Sequence, residues 1–494
     1  MGDTLMYIIT ALAIIFVYRW RFANLYGIPA IGPSLPVLSW LGAVRLVLHG
    51  RDMLQEGYQK YKGGTFKVAM PDRWIVFVSG ETMEEVRKMP DEQMSFFGAI
   101  QDMLQVEYTF GHEVAKDPFH HELIRNQLTR NLTNLFPDVH DEITVAFNDL
   151  IPMSTTDEWT TVNAFPIMQR IIARVTSRVF VGLPLCRYDP YVDLATRHTL
   201  EITKIRAMLT FFPRPLKPIA LKLFNKTHGN LQLAKQYLGP TIEERLSKMR
   251  KYGNDWTDRP RDMLQWVIEE ATSKGGGIEG IVQIILATNF AAIHTTSNSL
   301  THALYQLAAN PQYVKPLRDE IESVLKEEGW SKNAMNKMRK LDSFIRESQR
   351  VHGISGISFL RRAVTDVTLS NGSFIPAGTI LMAPSVCTHM DSENYDDPSV
   401  FKPWRFSEMR EGEGESTKYQ FVSTSTSYIP FGHGKHACPG RFFAANEIKG
   451  ILAHTVMDYD IKFENEGVRP DNVWLSIQVL PSPTAQVLFR KRRD

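Results

Sequence analysis

A ten-residue run near the C-terminus, FGHGKHACPG from Phe431 to Gly440, constrains this chain more than any other stretch. Glycines at 432 and 434 let the backbone turn tightly and bring amide N–H groups close to a ligand. Cys438 follows, and Pro439 suits the first turn of a helix, where its missing N–H costs nothing. The helical pattern behind it, RFFAANEIKGILAHTV, aims a positive dipole end back at the sulfur and predicts a lowered thiol pKa. A thiolate held this way serves as a nucleophile, a redox thiol or a metal ligand. Without its neighbours, Cys438 reads simply as a small buried hydrophobe.

Phe431, Gly434, Cys438 and Gly440 match F-x-x-G-x-x-x-C-x-G at every defined position. On that motif the chain resembles the cytochrome P450 family. The resemblance implies haem b as cofactor, with the Cys438 thiolate as axial iron ligand and Phe431, Gly434 and His436 around it. It also implies a mainly α fold with small β-sheets.

Composition adds exclusions. Lys plus Arg number 56 against 54 Asp plus Glu, which leaves no global field for nucleic acid. The three cysteines, at 186, 387 and 438, are far apart and form no C-x-x-C pair. A disulfide framework or structural zinc site is therefore not expected, and a reducing compartment is. Length alone would suggest roughly three domains. The resemblance replaces that with one catalytic domain over 41–494.

Leu5 to Tyr18 is an apolar run broken by Thr10 and followed by Arg19, Trp20 and Arg21. A signal peptide is the competing reading, but Met1 to Thr4 carries Asp3 and no basic residue. With its flanks the segment reaches about 20 residues, enough to span a bilayer. The arginines behind it then place the rest of the chain in the cytosol. An uncleaved single-pass anchor over 1–22 is expected, in the endoplasmic reticulum membrane. Pro29, Gly32, Pro33 and Pro36 make 23–40 a stiff hinge.

Beyond the hinge, Gly64 to Gly80 alternates around a turn and predicts a hairpin, as does Val367 to Thr379. Long helical patterns dominate elsewhere. One, from Ile278 to Asn310 and stopped by Pro311, would be about 50 Å long. It is apolar on nearly every face between Ile281 and Ile293, as a helix through a domain centre must be. Its middle, AAIHTTS (Ala291 to Ser297), is similar to the family's oxygen-activating segment. The resemblance gives Thr295 the delivery of protons to O2, with small residues at 291 and 292 making room. His294 stands where the family usually has Asp or Glu, and a histidine there can also relay protons. Read alone, such threonines bond to carbonyls of the preceding turn.

Glu347 and Arg350 share a helix face in FIRESQR, and Arg405 follows in FKPWRF, 33 residues before Cys438. By resemblance to the family's E-x-x-R and P-x-R-F segments, the three form a buried ion network. Candidates for the haem propionates, again by resemblance, are Arg125 with His121, Arg361 (or its neighbour Arg362) and His436.

The chain runs about 56 residues past Cys438, without room for a flavin or iron–sulfur domain. A separate NADPH–cytochrome P450 reductase is therefore implied, with cytochrome b5 as a further donor. Lys435 and Arg441 flank the loop where an acidic partner could meet them. Substrate segments implied by resemblance are Phe96 to Phe110, Phe211 to Pro218 and Leu475 to Val479. Their aromatics, with the fungal look of the motifs, point to a bulky lipophilic substrate, terpenoid or steroid. The leading expectation is a monooxygenase taking O2. The alternatives are a reductase-independent haem-thiolate isomerase or dehydratase acting on a peroxide, and a membrane haem-binding protein without turnover.

Overall fold

The apolar stretch after Gly277 folds as one helix, and the elements that build the site are arranged around it. The computed structural model describes residues 6, 7, 10, 13, 25, 27–35, 38–153, 158–212, 214–224 and 227–492. The expected anchor over 1–22 lies outside the described residues, apart from positions 6, 7, 10 and 13. Among the described residues one helix has the length and apolarity to cross a membrane, and it is this internal one. Its burial is that of a core helix.

The helices that shape the site are α1 (Ser39–Lys60), α2 (Phe96–Leu104), α3 (Thr129–Leu150), α4 (Ala164–Phe180), α5 (Asp189–Leu209), α6 (Ile278–Ala309), α7 (Arg339–Val351) and α8 (Arg441–Asp458). α6 packs against α4, α5, α7 and α8, while α3 packs against α4 and α8. Ile281, Val282, Ile284, Ile285 and Leu286 are all buried. Each such side chain contributes about 1.5–3 kcal/mol, which is why a stripe-free apolar sequence settles at the centre. α6 ends one residue earlier than expected, with Asn310 as its cap before Pro311.

A six-stranded sheet flanks the helices, in the order 30–31, 65–69, 74–78, 380–383, 358–363, 94–95. The hairpin expected over Gly64 to Gly80 is there, with Thr65 opposite Val78 and Ala69 opposite Trp74. Phe66, Val68, Ile75 and Phe77 pack on Met53 and Leu54 of α1, and Val76 and Val78 pack on Met83 and Val86. Both faces are covered, so the strands read as continuous apolar runs. The second expected hairpin pairs Val367 with Ile375. Within the expected hinge, Ala30 and Ile31 pair in parallel with Lys67 and Val68, and α1 begins at Ser39.

α1 kinks at His49, and the turn at 475–478 sits against the kink. Ser476 donates its amide to Val47 O at 3.2 Å. A Cβ on Gly50 would lie 2.3 Å from Ser476 O, so this approach requires glycine.

Candidate active site

The cysteine loop is shaped by two positive-φ glycines, Gly432 (φ 70°) and Gly434 (φ 78°). They fold the run back so that Cys438 donates its amide to Phe431 O at 2.7 Å. Phe431 is held in turn by edge contact with Phe421, 5.3 Å between centroids. α8 starts at Arg441, so Pro439 lies in the turn before it. The Cys438 sulfur is deep in the fold yet accessible, because it faces an internal cavity. The expectation of a lowered thiol pKa is corrected. Burial pushes the thiol up, and the Gly440 amide, the Arg441 charge and the Arg441 amide offset only part of that. A cation at the sulfur would supply the missing compensation.

The cavity has a volume of about 640 Å³ and is walled largely by apolar side chains, among them Phe97, Ile100, Phe110, Phe290 and Ile357. α6 supplies part of the cavity wall through Ala287, Thr288, Phe290, Ala291, Ala292 and Thr295. Ala291 and Thr295 are exposed in the middle of an otherwise buried helix because their shared face opens onto this space. Thr295 Oγ1 donates to Ala291 O at 2.7 Å, the local bond that a threonine makes in any helix, and it borders the cavity as well.

A family model for cytochrome P450 matches residues 31–489. The chain belongs to the cytochrome P450 family. It is similar to cytochrome P450 monooxygenase 151 of Postia placenta, 50% identical over 97% of each chain. Cytochrome P450 monooxygenase 103 of the same fungus is 47% identical over 99% of this chain and 98% of its own. Cytochrome P450 monooxygenase CYP512U6 of Ganoderma lucidum is 38% identical over 97% of this chain and 94% of its own. The protein is thus a P450 monooxygenase, and the cofactor of the family is haem with a cysteine thiolate on the iron.

The residues of this P450 fit that group. Arg361 borders the cavity with Nη2 buried and unpartnered, and burial pushes its guanidinium down to about 10. A haem propionate would supply the anion that Nη2 could meet. Arg362, its neighbour, instead pairs with Asp102 at 3.2 Å. His436 borders the cavity, stacks on Phe96 at 5.0 Å and reaches Asp91 at 2.7 Å. Burial pushes the imidazole below its ordinary value despite that carboxylate. His121 also borders the cavity, edge-on to Phe97 at 5.1 Å, and burial lowers it to about 4.

Two expected residues stand elsewhere. Arg125 is outside the cavity lining, on the surface, where it pairs with Glu122 at 3.0 Å and donates to Lys435 O at 3.1 Å. It braces the cysteine loop from outside. His294 also lies outside the lining, between helices, with Nδ1 3.0 Å from Gln169 Nε2 and Nε2 3.1 Å from Thr196 O. Burial lowers its pKa, and both ring nitrogens are hydrogen-bonded within the fold. Arg441, expected to face a partner, turns inward to Val422 O and Cys438 O, at 3.1 and 2.8 Å.

The ion network expected of Glu347, Arg350 and Arg405 is assembled in the core. Arg350 forks onto Glu347 at 2.7 and 2.8 Å, and Arg405 reaches the same carboxylate at 3.1 Å. The Glu347 and Arg350 side chains are 0% exposed. Sequence reasoning missed Arg206 and His120, which also border the cavity. Nothing in their local pattern marks them.

Proposed function

We propose that this P450 is a membrane-anchored enzyme inserting one oxygen atom of O2 into a C–H bond of a bulky terpenoid or steroid. NADPH supplies the electrons through a separate reductase, with cytochrome b5 as a further donor. The observation that carries this reading is a single, largely apolar cavity that the Cys438 sulfur and Thr295 both border. When bound, haem supplies the redox chemistry of O2, one atom going to substrate and one to water. With haem bound, the Cys438 sulfur would hold the iron and supply electron density to it. Arg361 and His436 would meet the propionates. The apolar walls exclude water and press the substrate against the α6 face. Thr295 delivers protons at Oγ1 by turning its hydroxyl from Ala291 O toward the cavity.

The test is turnover of a terpenoid and steroid panel by membranes containing reductase, NADPH and ¹⁸O2. One labelled atom per product is expected. In Thr295→Ala, NADPH consumption should persist while product per NADPH falls roughly tenfold or more, with hydrogen peroxide in its place. Product formed without O2 or reductase would instead favour peroxide isomerisation.

Membrane attachment is supported by an exposed stripe on α1, Leu41 (61%), Val44 (55%) and Leu48 (69%), and by Phe211, Ile219 and Leu223. With 1–22 as anchor and 23–40 as hinge, the proposed location of the catalytic body (41–494) is the cytosolic face of the endoplasmic reticulum. The full-length protein should resist extraction by alkaline carbonate, and a chain lacking 1–22 should still sediment with membranes. Extraction of the full chain would exclude the anchor, and a wholly soluble truncation would exclude the apolar faces.

A further inference from the structure

Arg206, on α5, borders the cavity that Met103 and Leu104 also border and, among the described residues, is in salt-bridge contact with no anion. Its Nη1 reaches Met103 O at 3.5 Å, a weak bond at best. The acid that acts on it, Asp72, is taken by Arg73 at 2.8 Å. Arg73 also faces Asp102 at 3.8 Å, and Asp102 is held by Arg362 at 3.2 Å. The acids of this corner are therefore already paired. Lys217 adds positive charge by donating to Gln105 Oε1 at 2.8 Å, while Gln105 Nε2 donates to Arg206 O at 3.3 Å. Burial lowers the pKa of Arg206, and the Asp72 charge offsets only part of that. A half-buried guanidinium that borders the cavity with five donors and one weak protein bond has donors left for a ligand.

We propose that Arg206 binds an anionic oxygen group of the substrate, so that the natural substrate is a lipophilic acid with its skeleton directed toward Thr295. The proposal rests on the monooxygenase reading for the fate of that substrate, but binding itself needs no electrons. Carboxylates and sulfate esters share the chemistry, since the planar fork matches both.

The test uses the full-length holoenzyme and matched probes: palmitic acid, methyl palmitate and hexadecyl sulfate, with 5β-cholanic acid and its methyl ester as rigid counterparts. Binding is read by the substrate-induced shift of the Soret band and, independently of the haem, by thermal shift. At least one acid should bind roughly tenfold or more tightly than its ester. Arg206→Gln should abolish that preference with an intact carbon monoxide spectrum, and Arg206→Lys should restore part of it. The sulfate arm shows which anion fits better. Esters binding as well as acids, a preference surviving in Arg206→Gln, or no acid shifting an intact enzyme would each overturn the proposal. Failure of the monooxygenase reading shows separately, as loss of labelled product while acid binding persists.

Discussion

Cys438→Ala abolishes the strongly red-shifted Soret band of the dithionite-reduced, carbon monoxide-treated protein, together with all reductase-dependent turnover. No second thiol can take its place. Cys186 is buried near Glu142 and pushed up to about 11, and Cys387 is buried and pushed up to about 12. Neither borders the cavity. His433 and His436 do, so haem retained by the variant should show the band of histidine-ligated or denatured haem. A wild-type band surviving in Cys438→Ala would refute the ligand assignment. The comparison requires equal loading of protein and membrane, because loss of the thiolate also weakens haem retention.

Glu347→Ala should cost about 3–5 kcal/mol of folding stability, because it strands buried charge. Its carboxylate accepts from Arg350, from Arg405 and from the Lys402 amide at 3.0 Å. Arg350 would keep the carbonyls of His389 and Pro398, each at 2.7 Å, but lose its counter-charge. The effect is read as a fall in the denaturation midpoint and in haem content. The control is Glu322→Ala, which breaks an exposed pair with Lys326 and should cost less than about 1 kcal/mol. A Glu347 variant within 1 kcal/mol of wild type, on the scale of that surface pair, would mean that the network does not hold the frame.

What the sequence revealed follows from how each feature is encoded. The cysteine loop and both hairpins are local, and their glycines and alternation carry the signal. Glu347 and Arg350 are three apart, and Arg405 was legible only through family resemblance. Orientation was harder to read. His294 sits next to Thr295 in sequence, yet one helical step turns it toward Gln169 and away from the cavity. Arg125 falls within a π turn over Ile124–Leu128, an irregularity that no periodicity announces. Pro137 and Pro240 lie inside helices that their sequence would have interrupted, because tertiary packing overrides the local penalty. Arg206 gains its meaning from Met103 and Asp72, more than a hundred positions away.

The turn at 475–478 belongs to two surfaces at once. Leu475, Ser476, Ile477 and Gln478 border the cavity, while Ser476 is bonded to α1 along the same helix that carries Leu41, Val44 and Leu48. With the α1 stripe on a bilayer, as proposed above, a solute dissolved in the lipid would meet the cavity wall before it met water. Selection among substrates would then begin with partition. The oil–water ratio of a molecule would sort it before any side chain read its shape, and a compound too polar to enter the lipid would be rejected without a contact being made.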